Sequence, residues 1–144
     1  MDALFLTRNK EHELAMISIF DALTYSSLDL EFSLEEITSA VYEMPFEDIP
    51  LFSKTLIIKS LAHINEIKPV FQEKMPKWNF DRLNLVEQSI LLMSYTHSKF
   101  ENGDKKIIID VAVRLAKKYL DKDDYKFVNA ILDKTLWWVI IYSL

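Results

Sequence analysis

The sequence predicts an all-α protein that forms a single compact domain of six to seven helices. The 144 residues include one glycine and four prolines, whereas β-rich folds need many turn residues. Apolar residues recur at helical spacing along the chain, and no segment shows the alternation of a half-buried strand. Half of the residues are hydrophobic, which is enough for a substantial core and too many for a disordered chain.

The N-terminal part predicts two helices. Over residues 8–25, apolar residues recur at every third or fourth position, and the shared face holds Ala15, Met16, Ile19, Phe20 and Leu23. A second helix over residues 34–43 begins with a capping box, in which Ser33 accepts a backbone hydrogen bond and Glu36 reaches back to the Ser33 amide. It ends at Met44 because a residue before proline disfavours the helical conformation.

A third helix is predicted to begin directly after Asp48 and to end at about residue 67. Asp48 is a candidate N-cap, and Pro50 stands at the start, where a missing N–H costs little. The expected inward residues are Leu51, Thr55, Ile58, Ala62 and Ile64. Pro69 then begins a short further helix or turn, and the loop after it should be pinned to the core by Trp78 and Phe80.

The C-terminal half predicts three more helices, each with its own N-cap. Asn84 opens a helix to about residue 98, with Leu85, Val86, Ser89, Ile90 and Met93 facing inward. Asn102-Gly103 is a turn, and Asp104 caps a helix whose apolar stripe is Ile108, Val111, Ala112, Leu115, Ala116 and Tyr119. Asp121 to Asp124 cap the last helix, whose inward residues are Phe127, Val128, Ile131, Leu132, Thr135 and Val139.

Charge is distributed unevenly along the chain. The net charge is −5, yet residues 1–50 balance to −9 and residues 51–144 to +4. Seven basic residues fall within positions 105–126, namely Lys105, Lys106, Arg114, Lys117, Lys118, Lys122 and Lys126. Such a run is either a solvated helix face or a surface for an anionic partner.

The composition excludes several kinds of chemistry. One glycine cannot form a phosphate-binding loop, and the absence of cysteine excludes disulfides and thiolate metal sites. His12, His63 and His97 are far apart and form no metal-binding motif. No pattern assembles a nucleophile, a base and an oxyanion donor, so the sequence predicts a protein that is not an enzyme, with no catalytic residue, metal or cofactor. A helical enzyme stays open only if the structure shows convergent carboxylates in a pocket.

The sequence predicts no targeting segment and no membrane segment at either end of the chain. The N-terminal apolar run is too short for a signal peptide. The apolar stretch over residues 136–144 has nine residues, whereas a bilayer span needs about 20. It is interpreted as the end of a buried helix, with a homodimer or partner contact as the alternative. The expected location is the cytoplasm.

Several motifs of the C-terminal half resemble the NusB family. A helix with Ala112-x-x-x-Ala116-Lys117-Lys118 is followed by Lys126-Phe-Val-Asn-x-x-Leu-Asp133. Before it, Trp78-x-x-x-Arg82-Leu83 leads to Val86-Glu87 and Ile90-Leu91, with Tyr95 near the end of that helix. The resemblance is good over residues 78–134 and loose over residues 8–20, where Phe20 replaces a usual Tyr.

The resemblance implies a domain of two antiparallel three-helix bundles, divided near residue 75 into an N-terminal and a C-terminal bundle. It implies a transcription antitermination factor that binds a short single-stranded boxA RNA and pairs with NusE, a small-subunit ribosomal protein. The pair joins the transcription elongation complex, which keeps RNA polymerase elongating through ribosomal RNA operons.

The resemblance also implies an RNA-binding surface made from three parts of the chain. The implied residues are Arg8, Lys10, His12, Glu87, Lys122, Asp123, Lys126 and Phe127. Phe127 would stack on a base, and Glu87 would accept from a base amino group. The family has an arginine-rich start of the first helix, whereas this chain has two firm cations there, with Glu11 beside them. The alternative is therefore a NusB-fold protein-interaction module that no longer binds RNA.

Overall fold

Helices form the whole secondary structure of the described residues. The computed structural model describes the backbone of residues 6–143 and the side chains of residues 6–136, and no strand occurs in that range. The seven helices are α1 (Arg8–Ser27), α2 (Leu34–Tyr42), α3 (Leu51–Ala62), α4 (Ile64–Lys74), α5 (Leu85–Glu101), α6 (Lys105–Tyr119) and α7 (Asp124–Ser143). The prediction of an all-α fold with six to seven helices is confirmed.

Side-chain caps fix where three of these helices begin, as the sequence predicts. Ser33 Oγ accepts from the Glu36 amide at 3.3 Å, and Asn84 Oδ1 accepts from the Val86 amide at 2.7 Å. Asp104 Oδ1 accepts from the amides of Lys106 and Ile107, at 2.9 and 3.2 Å. At α7 the Asp124 carboxylate accepts from the Asp121 amide at 3.1 Å and so closes the turn before the helix.

Helix α5 is the centre of the molecule. It packs against α1 and α3 on one side and against α6 and α7 on the other. Four consecutive residues of α5, Ile90 to Met93, are buried, which is possible only for a helix covered all round. One continuous hydrophobic core therefore joins the two halves of the chain. The division into bundles near residue 75 stays a prediction.

The predicted third helix, from Asp48 to about residue 67, is wrong in two respects. The chain breaks at His63 into α3 and α4, and α4 continues through Pro69 instead of beginning there. Leu51 and Ile58 are exposed, and α3 buries Ser53, Leu56, Ile57 and Ser60. The buried serines are satisfied by other helices: Ser53 Oγ donates to Glu11 Oε1 at 2.9 Å, and Ser60 Oγ lies 2.8 Å from Thr96 Oγ1. The buried face of α3 therefore combines two apolar side chains with two serines that hydrogen-bond to other helices, and it is not the face that the sequence pattern predicted.

Four smaller expectations also need correction. Asp48 does not cap α3; it lies in a short 3₁₀ turn, and Pro50 precedes the helix without a side-chain cap. Phe80 is buried as predicted, but Trp78 is 61% exposed. Tyr119 is 39% exposed, and its hydroxyl donates to Glu13. Phe127 faces inward only in part, since it is half-buried and packs against the core. The predicted inward position of Val139, and a dimer contact through the apolar residues 137–144, lie outside the described side chains.

Candidate nucleic-acid interface

The start of α1 presents two exposed cations. Thr7 Oγ1 caps this helix by accepting from the Lys10 amide at 3.1 Å. Arg8 lies 3.5 Å from the Glu11 carboxylate and 3.8 Å from the centre of the Phe52 ring, and Lys10 lies 3.5 Å from Glu13. The side chains of Arg8 and Lys10 are 60% and 54% exposed, so both cations can also contact a phosphate.

His12, although it follows these cations by a few positions, does not belong to the surface. The side chain is 2% exposed, its Nδ1 lies 2.8 Å from the Arg8 carbonyl oxygen, and its Nε2 lies 3.4 Å from Nδ1 of His97. Burial lowers the pKa of His12, and burial beside His12 and Arg8 lowers the pKa of His97 to about 4. A neutral, buried imidazole pair cannot contact a phosphate, so His12 is removed from the candidate interface.

Helix α6 extends the cationic surface of α1, which the sequence alone did not indicate. Arg114 Nη2 donates to Asn9 Oδ1 at 2.8 Å. Lys118 Nζ and the Tyr119 hydroxyl both donate to Glu13 Oε2, the carboxylate that also pairs with Lys10. The sequence signal was the spacing of Arg114 and Lys118 opposite the apolar stripe of α6, but nothing in the sequence placed that face beside α1.

The turn between α6 and α7 continues this surface. Lys117 Nζ lies 4.6 Å from the centre of the Tyr125 ring, which joins the end of α6 to the start of α7. Lys122 and Asp123 are exposed, and Lys126 lies 3.5 Å from the Asp123 carboxylate. We call the exposed cations at the start of α1, in the second half of α6 and around the start of α7 the basic arc; they are Arg8, Lys10, Arg114, Lys117, Lys118, Lys122 and Lys126.

Glu87 lies in the first turn of α5, next to the start of α7. Its side chain is nearly buried, with 8% of the residue exposed. Burial, with a smaller contribution from the negative charge of Asp124, raises the pKa of Glu87 to about 7. The carboxyl group therefore exchanges its proton near neutral pH. It accepts hydrogen bonds when ionised, and it can also donate one when protonated.

Phe127 and Trp78 form an aromatic pair beside the basic arc. Phe127 is half-buried in the first turns of α7, and its ring centre lies 6.2 Å from that of Trp78. Lys122 and Asp123 precede α7, whose first turn carries Lys126 and Phe127 and, at Asp124, lies near Glu87. Arg8 and Lys10 lie on α1, and Glu13 connects Lys10 to Lys118 of α6. Trp78 is a surface residue that the sequence interpretation assigned to the core.

Other kinds of site are not indicated in the described part of the chain. No group of three or more His, Asp or Glu side chains there is arranged to hold a metal ion. No helix of that part is long and apolar enough to cross a membrane. The arrangement is suited to binding a polyanion, because the cations are exposed and the carboxylates that pair with them mostly face inward.

Comparison with known proteins identifies related sequences. The sequence model of the NusB family matches residues 9–136. The transcription antitermination protein NusB of Treponema denticola is 42% identical over 84 residues, a match that covers 58% of this chain and 62% of that relative. The protein of the same name from Borreliella burgdorferi is 33% identical over 124 residues, which cover 85% of this chain and 79% of the relative.

Solved structures share the fold. NusB of T. maritima superposes with a TM-score of 0.75 at 21% identity, over 92% of each chain. A chain in the structure named "Crystal Structure of a Plectonemic RNA Supercoil" superposes with a TM-score of 0.72 at 25% identity, over 96% of this chain and 100% of that one.

Proposed function

The chain belongs to the NusB family, and on that premise we propose that it binds a boxA-like single-stranded RNA together with the ribosomal protein NusE. The family comprises transcription antitermination factors that are not enzymes. The proposed pair of proteins joins the transcription elongation complex in the cytoplasm. What the chain contributes is a surface that recognises RNA and a surface that recognises its protein partner.

The observation that carries this proposal is the basic arc. Its cations come from α1, α6 and the start of α7, and each is exposed even though the whole chain has a net charge of −5. Clustering positive charge on one surface of an acidic protein favours an anionic ligand, since phosphate neutralisation supplies most of the binding free energy for nucleic acids.

Three kinds of contact have distinct roles in the proposed interface. Arg8, Lys10 and the other cations of the basic arc neutralise phosphates, which positions the strand without reading its sequence. The half-exposed ring of Phe127 stacks on a base. Glu87 accepts a hydrogen bond from a base amino group, which supplies sequence preference. Lys122 and Lys126 place further positive charge beside these two residues.

NusE is proposed to bind a separate surface of the C-terminal bundle, which carries the family motifs. RNA affinity should be highest with NusE bound, because Arg8 and Lys10 are the only cations that this chain retains at the start of α1. NusE is therefore proposed to contribute positive surface along the same strand.

The proposed roles predict that the cations and Glu87 affect RNA binding differently. Replacing Arg8 and Lys10 by Ala should weaken all RNA sequences about equally, and the slope of log affinity against log salt should become shallower by about 0.7 per lost phosphate contact. Glu87→Ala should instead relax the preference for one base, whereas Glu87→Gln keeps an acceptor oxygen and should retain it. Fluorescence anisotropy with boxA-like and scrambled RNA measures both effects.

The pH dependence supplies an internal check on the role of Glu87. Because its pKa is about 7, the ionised acceptor becomes more abundant as pH rises from 6 to 8, so the wild-type preference should strengthen over that range. The Gln variant should show no such change.

The matched control for the Arg8 and Lys10 variant is Lys59→Ala with Lys99→Ala, which removes two exposed cations outside the basic arc. Equal loss of affinity in this control and in the Arg8 and Lys10 variant would contradict the proposed interface.

A further inference from the structure

We propose that Trp78 is a second stacking platform for RNA, which holds a base next to the base at Phe127. This inference rests on the proposed RNA binding and adds a subsite to it. The Trp78 and Phe127 ring centres are 6.2 Å apart and the ring planes are inclined by 59°. The two rings are too close and too steeply inclined to hold a base between them, so each ring offers its own face to a different base.

The Trp78 side chain is exposed, but the backbone of its loop is fixed. The side chain is 61% exposed, but the loop that carries it is fixed by hydrogen bonds from Gln72. Gln72 Nε2 donates to the Trp78 carbonyl oxygen at 2.6 Å, and the Phe80 amide donates to Gln72 Oε1 at 2.9 Å. The Phe80 ring is buried and anchors the far side of the loop. A solvent-facing indole on a backbone that is already fixed needs no ordering of its loop when a base stacks on it.

The charge around Trp78 identifies the kind of ligand. Trp78 and Phe127 line a cleft of about 340 Å³ whose described lining includes Lys74, Lys77 and Lys134 and contains no carboxylate. Three other clefts of the described structure are each lined by at least one Asp or Glu. Aromatic faces beside lysines, with no carboxylate among the described lining residues, match a single strand, whose bases stack and whose phosphates are negative.

The position of the cleft agrees with a continuous path for the strand. Phe127 belongs both to this cleft and to the first turns of α7, where Lys122 and Lys126 end the basic arc. A strand that follows the basic arc to Phe127 meets Trp78 next, with Lys77 and Lys134 beside its phosphates. Both lysines are exposed, and neither forms an ion pair with a described residue.

The test is an abasic scan of a boxA-like RNA that binds the wild-type protein in the presence of NusE. Single bases are removed in turn, and affinity is measured for the wild type, Trp78→Ala, Trp78→Phe and Phe127→Ala. In the wild type, removal of either of two neighbouring bases should weaken binding. Trp78→Ala should weaken the intact RNA by about tenfold, the scale of one base–aromatic stack, and should abolish sensitivity at one of those positions.

The remaining variants separate this subsite from the rest of the interface. Phe127→Ala should abolish sensitivity at the other position, and Trp78→Phe should retain much of the affinity because it keeps an aromatic face. Tyr25→Ala removes an aromatic residue that is 41% exposed and lines a cleft with Asp21 and Glu31, so it should change nothing. An unchanged denaturant midpoint for Trp78→Ala would exclude misfolding, since the side chain is mostly solvent-exposed.

Two outcomes would overturn the inference, and they are distinguishable. If the wild type binds RNA but Trp78→Ala behaves like Tyr25→Ala, the Trp78 subsite is wrong and the proposed function stands. If the wild type binds no RNA even with NusE present, both the subsite and the proposed function are wrong.

Discussion

Gly103→Ala is expected to destabilise the protein by about 1–3 kcal/mol, the usual range for overpacking a filled site. A Cβ atom at Gly103 would lie 2.6 Å from Cδ2 and 2.7 Å from Nε2 of His97, and 2.8 Å from Cδ1 of Ile108. Neither neighbour can move away easily. The His97 ring is already packed against His12 and Phe52, with ring centres 5.1 and 5.2 Å apart, and Ile108 is 1% exposed.

Urea denaturation of Gly103→Ala and of the double variant with Ile108→Val measures this clash. Ile108→Val removes the Cδ1 atom, so the double variant should lose less stability than the sum of the two single variants. Lys106→Ala, at an exposed position of the same helix start, should change stability by less than about 0.5 kcal/mol. A Gly103→Ala midpoint equal to that of Lys106→Ala would show that the α5–α6 turn is not packed as described.

Glu13→Gln is expected to cost about 1–3 kcal/mol at neutral pH, the range for losing hydrogen bonds to a charged group. Hydrogen bonds from Lys118 and Tyr119 lower the pKa of Glu13 from 4.5 to about 2. In the unfolded chain the carboxyl group binds a proton below pH 4.5, whereas in the folded protein it stays ionised until about pH 2. The stabilisation is therefore complete above pH 4.5 and is lost between pH 4.5 and 2.

The free energy of unfolding as a function of pH identifies this contribution. The difference between the wild type and Glu13→Gln should be constant from pH 7 to 5 and should shrink below pH 4.5. Tyr119→Phe removes one neutral donor and leaves the carboxylate and Lys118 in place, so it should cost less than Glu13→Gln. A difference that stays the same down to pH 3 would mean that Glu13 does not join α1 to α6 through its charge.

The sequence predicted the features of this fold that local interactions determine. Ser33, Asn84 and Asp104 each bond an amide within three residues, so their capping roles follow from spacing alone. The apolar stripe of α6 was equally clear because Val111, Ala112 and Leu115 share one face at helical spacing. These local signals were sufficient for the fold class and for the positions of most helices.

The features that the sequence missed depend on contacts between distant segments. Ser53 and Ser60 are buried because α1 and α5 supply their hydrogen-bond partners, and periodicity then favours the wrong face of α3. His12 is buried because His97, 85 positions away, lies beside it. Trp78 is exposed because Gln72 and Phe80 fix the loop without it. Arg114 and Lys118 hydrogen-bond to residues of α1 only because α6 packs against that helix, which the sequence did not predict.

Titration of a fluorescent boxA-like RNA with the purified protein, with and without NusE, tests the proposed function most directly. We expect weak binding by the protein alone, with a log–log salt slope near −2, because without NusE about three cations of the basic arc contact phosphates of a single strand at once and each contact contributes roughly 0.7. We expect clearly tighter binding when NusE is present. Absence of RNA binding in both titrations would contradict the proposal and would favour a NusB-fold module that binds only protein.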